Sequence, residues 1–204
     1  MSQLVAPHGG KGLVCALLHG SELIAEQEKA AGLKKVQVSA RAKGDLIMMG
    51  IGGFSPLDGF MNKADWKGVC ENFQMADGTF WPVPITLDIS QEDADSIAIG
   101  EEIALEADGE IMATMRVEDR YAIDRDLECR HVFGTTDAEH PGVRMVFEQP
   151  PVNLGGPVRV LSESFFPTEF PDLYLRPAET RRIFAERGWS RIAAMQLRNP
   201  MHRS

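Results

Sequence analysis

Residues 101–119 read EEIALEADGEIMATMRVED, and this stretch decides the fold of the first part of the chain. Two runs rich in apolar residues flank Asp108-Gly109, a dipeptide that favours the tight turn of a β-hairpin. A second signal of this kind, Asp77-Gly78, precedes FWPVPITLDI (80–89). Apolar residues alternate with other residues in that segment, which predicts a half-buried strand through Val83, Ile85, Leu87 and Ile89.

Helical patterns separate these strands. Four segments carry helix-capping residues or apolar residues at helical spacing, and they cover residues 21–32, 39–49, 62–73 and 124–132. In the third segment, Trp66, Val69 and Phe73 fall on one predicted face. Short strands are predicted at 36–39 and 157–162. Hairpin-type pairing with helices between the strands indicates an α+β domain with a small barrel.

The composition excludes several classes of protein. The chain has 204 residues, of which 44% are hydrophobic and 25% charged, so it is globular rather than disordered or fibrous. Its formal net charge of −9 argues against a general nucleic-acid binder. The three cysteines form no CxxC pair, and the N-terminus lacks the apolar core of a signal peptide. No apolar run is long enough to span a membrane, so we expect a cytoplasmic protein.

The pattern changes near Phe165. PAETRRIFAERG (177–188) predicts a helix, and WSRIAAMQ (189–196) reads as a buried strand followed by a polar loop. Helix, buried strand and polar loop form the opening unit of a parallel α/β sheet, which needs more strands than this chain supplies. We therefore divide the chain into a first domain, residues 1–165, and the truncated start of a second, residues 166–204.

Charge is unevenly distributed between these parts. Residues 176–204 carry a net charge of +5, and the preceding 175 residues carry −14. A cationic end on an acidic protein indicates a focused anion site rather than a surface for polyanions.

Residues 196–202, Gln-Leu-Arg-Asn-Pro-Met-His, follow the predicted buried strand, and ligands of open α/β sheets bind beyond such strand ends. The guanidinium of Arg198 suits two oxygens of a tetrahedral anion, and Gln196 and Asn199 offer amide donors. His202 stands where a further helix would begin, a position that favours phosphate. Two neighbouring anions are what a nucleotidyl transfer needs, although a loop with one structural arginine and one exposed histidine explains the spacing equally well.

The stretch QLRNPMH resembles the Q-x-R-N-P-x-H-x-x-H signature of the ATP sulfurylase, or sulfate adenylyltransferase, family. Five other stretches are similar to the same family, in the same order: PHGG (7–10), GFSPLDGFM (53–61), WPVPITL (81–87), FGTTDAEHPGV (133–143) and GW (188–189). The second histidine of the signature would follow Ser204, and the chain resembles roughly the first half of a family member.

The resemblance implies a PUA-like barrel domain followed by the first unit of a Rossmann-like nucleotidyltransferase domain. It implies the reversible reaction of ATP and sulfate to adenosine 5′-phosphosulfate and pyrophosphate, with Mg²⁺ bound to ATP and no metal ligated by this chain. It implies that Gln196 and Arg198 bind sulfate, that the backbone of Leu197 faces the substrate, and that Asn199 and His202 contact nucleotide phosphates. Arg198 and His202 are then the catalytic residues.

These expectations leave alternatives open. As part of a homo-oligomeric enzyme, this chain needs the remaining C-terminal part and is expected to be inactive alone. A non-catalytic assembly module is the main alternative. An RNA-binding PUA module is the weaker one, because the first domain is strongly acidic. The stretches GFSPLDGFM and FGTTDAEHPGV are expected to be structural turns, with His140 as the one histidine among them that could have a site role.

Overall fold

The computed structural model describes residues 4–197 of the chain. Its helices are α1 (Gly20–Ala31), α2 (Ala40–Gly50), α3 (Lys63–Asn72), α4 (Gln91–Asp95), α5 (Arg125–Val132), α6 (Pro141–Glu148), α7 (Phe166–Glu169) and α8 (Pro177–Glu186). Its strands are β1 (Lys34–Gln37), β2 (Gly59–Phe60), β3 (Leu87–Ile89), β4 (Glu102–Ala107), β5 (Glu110–Arg116), β6 (Asp119–Ala122) and β7 (Val152–Val160). The helices that the sequence predicted are all present, and the α+β class is confirmed.

Polar side chains begin α2 and α3 as the sequence predicted, whereas α1 begins after His19 without a side-chain cap and not at the predicted Ser21. The hydroxyl of Ser39 accepts a hydrogen bond from the backbone N–H of Ala42 at the start of α2. The side chain of Asn62 accepts one from the backbone of Asp65 at the start of α3. The predicted apolar face of α3 is wrong at Phe73, which is 48% exposed. Phe73 ends the helix in a left-handed conformation, with φ of 55°, so its ring leaves the face that buries Trp66.

Strand β7 is the central strand of the sheet and pairs with four other strands. Its first residues pair with β3 and β6, and its last residues pair with β5. The predicted hairpin around Asp108-Gly109 joins β4 to β5, and β1 adds to β4 in parallel. One long strand therefore holds together two groups of shorter strands in a half-barrel.

Two adjacent glycines allow β7 to bend and so to pair with both groups of strands. A Cβ atom on Gly156 would lie 2.1 Å from the carbonyl oxygen of Arg116, and the φ of Gly156 is +151°. A Cβ atom on Gly155 would lie 2.8 Å from the carbonyl oxygen of Met61. Neighbouring backbone therefore occupies the space that any side chain would need at this bend.

The core lies inside the half-barrel, under α2 and α3. Its largest fully buried side chains include Leu46, Met49, Met61, Val69, Leu87, Leu105, Met112, Met115 and Leu154. Cys70 and Cys129 are buried free thiols, whereas Cys15 is an exposed one. Across residues 4–197, no helix is both long and apolar enough to cross a membrane.

The predicted strand at 80–89 is mostly wrong. Only β3 pairs with the sheet, and Val83 is 45% exposed. Pro82 and Pro84 remove the backbone donors on both sides of Val83, so this part of the segment cannot join the ladder. The carbonyl oxygen of Ile85 accepts a hydrogen bond from the backbone N–H of Met61, and strand pairing begins at Leu87. The strand predicted at 157–162 is the end of β7, which begins five residues earlier than predicted.

The structure also contains elements that the sequence did not predict, of which α6 is the largest. His140 begins α6, and its Nδ1 accepts a hydrogen bond of 3.2 Å from the backbone N–H of Gly142. Its ring packs on Phe133 at 5.1 Å between centroids. This histidine therefore has a structural contact at a helix start.

The segment predicted as a buried strand at 189–196 belongs to no helix or strand, and its residues are exposed. A central parallel strand needs hydrogen-bonding neighbours on both sides and cover on both faces. Residues 4–197 place no strand beside it. Of the predicted parallel α/β unit, the structure therefore contains the helix, α8, and not the paired strand.

Candidate functional site

The segment that leads to the signature is tied to the end of the barrel by Arg176. Its guanidinium donates two hydrogen bonds to the Glu163 carboxylate, from Nε to Oε1 at 2.7 Å and from Nη2 to Oε2 at 2.5 Å. The hydroxyl of Tyr174 donates a third to Oε1 at 3.1 Å. The Glu163 side chain is only 10% exposed, so this ion pair is largely shielded from solvent.

The same arginine begins α8. Its backbone N–H donates to Oε2 of Glu179 at 2.8 Å, and Pro177 occupies the first turn. Hydrogen bonding to Glu163 raises the pKa of Arg176, and burial together with the negative charge of Glu163 raises the pKa of Tyr174 to about 12. Because both shifts are upward, Arg176 stays charged and Tyr174 stays neutral near neutral pH.

A second contact joins α8 to the N-terminal segment. Nη2 of Arg181 donates to the carbonyl oxygen of Val5 at 2.8 Å. Next to it lies an open cleft of about 250 Å³, lined by Pro7, His8, Leu13, Gly52, Gly53, Ser55, Pro177, Thr180 and Arg181. Parts of the PHGG and GFSPLDGFM stretches therefore lie beside the helix that precedes the signature.

The groups in this cleft make structural contacts. The Ser55 hydroxyl accepts from the backbone N–H of Val14 at 2.8 Å and donates to the carbonyl oxygen of Gly52 at 2.7 Å. The ring of His8 contacts the carbonyl oxygen of Phe80 through Nε2 at 2.7 Å. The bonds of Ser55 agree with the prediction that GFSPLDGFM is a structural turn, and His8 makes a packing contact.

Of the predicted site residues, only Gln196 and Leu197 fall within the described part of the chain. Gln196 and Leu197 are exposed and belong to no helix or strand. Arg198, Asn199 and His202 lie outside the described residues. The geometry of the signature therefore stays a prediction.

The surface around this segment is unusually apolar. Leu173 and Met195 are 81% and 80% exposed. Other large apolar side chains in the same part of the chain are also exposed: Phe165, Phe170, Leu175, Trp189, Ile192 and Leu197. So many exposed apolar side chains in one short segment are typical of a surface that another part of a protein covers.

Two groups of polar residues were missed from the sequence. One is Glu163 with Tyr174 and Arg176, and the other is the buried pair of Glu128 and Trp66, in which Nε1 of Trp66 donates to Oε2 of Glu128 at 2.7 Å. The partners of the buried pair are 62 residues apart, so no local pattern could show them. Within residues 4–197, no group of three or more His, Cys, Asp or Glu residues is placed to hold a metal ion.

Comparison with known proteins accounts for both parts of the chain. A family model described as a PUA-like domain matches residues 5–163, which is more than three-quarters of the chain. The chain belongs to the PUA-like domain family. The half-barrel built on β7 is therefore a PUA-like domain. A second model, described as ATP-sulfurylase, matches residues 171–204, which include α8 and the signature.

Curated relatives extend across the junction between the PUA-like domain and the signature. The sulfate adenylyltransferase of Desulfatibacillum aliphaticivorans is 62% identical and aligns with 100% of this chain. That of Desulfovibrio desulfuricans is 58% identical, also over the whole chain, and that of Chlorobaculum tepidum is 60% identical over 98% of it. The chain spans about half the length of these relatives, 52%, 52% and 50% respectively. The resemblance to the ATP sulfurylase family is thus confirmed.

A solved structure shares the fold. The chain titled hexameric APS kinase from Thiobacillus denitrificans superposes with a TM-score of 0.76 at 31% sequence identity. The match covers 98% of this chain and 35% of that one. The fold of this chain is therefore found within a longer chain.

Proposed function

We propose that this chain forms part of a sulfate adenylyltransferase, which transfers the adenylyl group of ATP to sulfate. The observation that carries the proposal is alignment of the whole chain with relatives of that name, together with the Q-x-R-N-P-x-H sequence at 196–202. The match of residues 171–204 to the ATP-sulfurylase model supports it independently of the barrel.

In the proposed reaction, Gln196 and Arg198 hold sulfate beside the nucleotide, and Asn199 and His202 hold the phosphates of ATP. A sulfate oxygen attacks the α-phosphorus in line, the bond from that phosphorus to the bridging oxygen breaks, and pyrophosphate leaves with the electron pair. Positive side chains stabilise the negative charge on the equatorial oxygens, so positioning and electrostatics supply most of the rate. The reverse reaction uses the same groups.

Mg²⁺ enters this scheme as part of the substrate, bound to the phosphates of ATP. The described residues offer no set of ligands that fits a resident metal ion, so no step is assigned to a protein-bound metal. Leu197 contributes its backbone in this scheme, and its exposed side chain is free to pack elsewhere.

We further propose that residues 166–204 begin a Rossmann-like catalytic domain. The uncovered apolar side chains from Phe165 to Leu197 support this proposal, because a sheet supplied by further chain would bury them and pair with residues 189–196. A boundary at residue 165 stays a prediction, as do a cytoplasmic location and the absence of nucleic-acid binding. Homo-oligomer formation is proposed as well, and it is supported by the structural neighbour, which is a hexameric APS kinase.

The alternative is a non-catalytic assembly module, and the apolar surface before the signature is the observation that favours it. Complementation separates the two functions. The 204-residue chain is assayed for sulfate-dependent pyrophosphate release, first alone and then with the part of the Desulfatibacillum aliphaticivorans relative that it does not match. We expect activity only in the mixture. Association without activity would instead support the assembly module.

A further inference from the structure

A small pocket on the PUA-like domain is separate from the segment that carries the signature. It has a volume of about 220 Å³ and lies between α2, α5, α6 and the segment before β3. Its walls are mainly apolar and are formed by Val83, Pro84, Val132, Phe133, Gly142, Met145 and Val146. The polar residues that line it are Arg41, Glu128 and Gln149. Apolar walls with a few polar groups are typical of sites for small organic molecules.

Glu128 is a buried carboxylate without a cation of its own. The residue is 6% exposed, and its Oε2 accepts the hydrogen bond from Trp66. Its Oε1 accepts no hydrogen bond from residues 4–197. Arg41, the cation in the pocket wall, donates to Oδ1 of Asp88 at 2.7 Å and to the carbonyl oxygen of Thr86 at 3.3 Å. Arg41 is the only arginine in the pocket lining, and its guanidinium is paired with a different carboxylate.

The surroundings of Glu128 do not balance its charge. Burial raises the pKa of Glu128, and the negative charge of Asp88 adds to the effect, although Trp66 and Arg41 oppose it. Cys70 on α3 and Tyr121 on β6 also lie close enough to interact, and both are buried groups with pKa values above their usual ones. A buried carboxylate in such surroundings is stabilised either by taking up a proton or by a cation that joins it.

Gln149 supplies a second acceptor in the pocket wall. Its side-chain Oε1 is buried and has no hydrogen-bond partner within residues 4–197. The residue is held in place through its backbone, because the guanidinium of Arg125 donates to its carbonyl oxygen. Within residues 4–197, Oε1 of Glu128 and Oε1 of Gln149 therefore accept no hydrogen bond, although Nε of Arg125 beside Gln149 is also buried without a partner.

We propose that this pocket binds a small organic cation, a primary ammonium group carried on a short apolar body. The ammonium donates to Glu128 and Gln149, because it has three N–H donors and brings the missing positive charge. The apolar body packs against side chains such as Val83, Phe133 and Met145. An anion such as sulfate would meet the same two acceptors unfavourably, so the pocket does not suit sulfate.

The test is a titration of the ¹⁵N-labelled 204-residue chain with benzylamine, followed through the indole N–H signal of Trp66, which contacts Glu128 directly. A ligand of this size is expected to bind with a dissociation constant of about 1 mM. Benzyl alcohol, which has nearly the same shape and no charge, is the matched ligand control. The proposal predicts a saturating shift with the amine and a much weaker effect of the alcohol.

Variants identify the residues responsible. Glu128→Gln keeps an acceptor for Trp66 and removes the charge, so affinity for benzylamine should fall about tenfold or more. Asp126→Asn makes the same charge change at an exposed position of the same helix and should leave affinity unchanged. Gln149→Leu removes the second acceptor and should weaken binding several-fold, which provides a test even if Glu128→Gln fails to fold.

A free amine and a lysine side chain share this chemistry, so the titration is repeated with Nα-acetyl-lysine N-methylamide. Tighter binding of benzylamine identifies a free amine as the ligand type, whereas tighter binding of the lysine derivative identifies a side chain of another protein. Equal binding of benzylamine and benzyl alcohol would overturn the proposal. So would the absence of any Trp66 shift, or unchanged affinity in both Glu128→Gln and Gln149→Leu.

Discussion

The guanidinium of Arg176 and the carboxylate of Glu163 form a two-point ion pair that joins the end of the barrel to the start of α8. Only twelve residues separate the two partners, and those residues include α7. The pair closes this loop, so it fixes where α8 leaves the PUA-like domain. The signature begins at Gln196, ten positions after the last residue of α8, Glu186. The ion pair therefore also limits where the proposed catalytic residues begin.

Glu163→Gln should loosen α8 from the barrel. The change removes a mostly buried charge from opposite Arg176 and should cost about 1.5–3 kcal/mol of stability. Hydrogen exchange in α8, measured by mass spectrometry, should accelerate more than exchange in β5. Glu186→Gln is the control, because the Arg182–Glu186 pair on the same helix is exposed and should be worth less than about 0.5 kcal/mol. Equal effects of the two changes would contradict the role assigned to Glu163.

Arg198→Ala should impair the proposed reaction in the complemented enzyme. Loss of a charge-assisted contact costs about 1.5–3 kcal/mol, and turnover could fall ~10²–10³-fold if the contact tightens in the transition state. Arg191→Ala changes an exposed arginine of the same segment and serves as the control. Sulfate-dependent pyrophosphate release measures both. Unchanged release in Arg198→Ala would reject the assignment of this residue to sulfate.

Asp45→Asn should stabilise the protein at neutral pH. Burial raises the pKa of Asp45 from 3.8 to about 6, against the opposing effect of Arg41. The folded state holds the proton of the Asp45 carboxyl more tightly than the unfolded state does. Protonation of Asp45 therefore contributes stability that is fully present below pH 3.8 and is lost as the pH rises through about 6. Asparagine does not titrate, so the variant should exceed wild type by up to about 3 kcal/mol at pH 7.5.

Urea denaturation at pH 7.5 and at pH 3.5 tests this expectation. The advantage of Asp45→Asn should shrink at the lower pH, where the wild-type carboxyl is protonated in both states. Asp172→Asn, at an exposed position, should show little difference at either pH. An advantage of Asp45→Asn that is the same at both pH values would mean that ionisation of Asp45 is not its cause.

Glu26→Gln should have the opposite pH dependence. Burial alone would raise the pKa of Glu26, but hydrogen bonds from Lys29 and Thr114 outweigh it, and the pKa lies below its usual 4.5. The ionised carboxylate therefore contributes stability above pH 4.5 that is lost as the pH falls through its folded pKa. The variant should be less stable than wild type by about 1–3 kcal/mol at pH 7, since it leaves a half-satisfied buried network.

The loss should be smaller at pH 3 than at pH 7 when both are measured by urea denaturation. Glu28→Gln, an exposed position on the same helix, is the matched control. If Glu26→Gln behaves like the control, the contacts of Glu26 with Lys29, Thr114 and Arg159 do not stabilise the fold.

Gly156→Ala should severely destabilise the PUA-like domain. The new methyl group would lie 2.1 Å from the carbonyl oxygen of Arg116, and the backbone cannot move without breaking the pairing of β7. A loss of about 3 kcal/mol or more is expected, by analogy with other overpacked sites. Gly44→Ala, in a helix with open space around its Cβ, should instead raise stability by up to about 1 kcal/mol. Similar thermal unfolding of the two variants would show that the bend at Gly156 tolerates a side chain.

Local rules predicted the elements that depend on neighbours in the sequence. Ser39 and Asn62 begin their helices through bonds to residues three positions ahead, and Asp108-Gly109 makes its own turn. These interactions depend on a few adjacent residues, so the sequence alone could predict them. The signature at 196–202 was recognised for the same reason, because it is a continuous run of residues.

Elements whose stability depends on distant partners were missed or misplaced. The first half of β7 exists because β3 and β6 pair with it, and its glycines leave no strong local strand pattern. Val83 follows the alternation of a strand, yet the prolines beside it prevent pairing. The buried strand predicted at 189–196 is not formed, because no partner strand lies beside it within the described residues.

From sequence alone came the α+β class, most helices, the hairpin at Asp108-Gly109 and the resemblance to the ATP sulfurylase family. Only the tertiary structure decided that Glu163 holds Arg176, that Glu128 is buried without a cation, and that a small pocket forms beside it. Caps and turns depend on a few consecutive residues. Ion pairs and pockets depend on side chains that are brought together only when the whole chain folds.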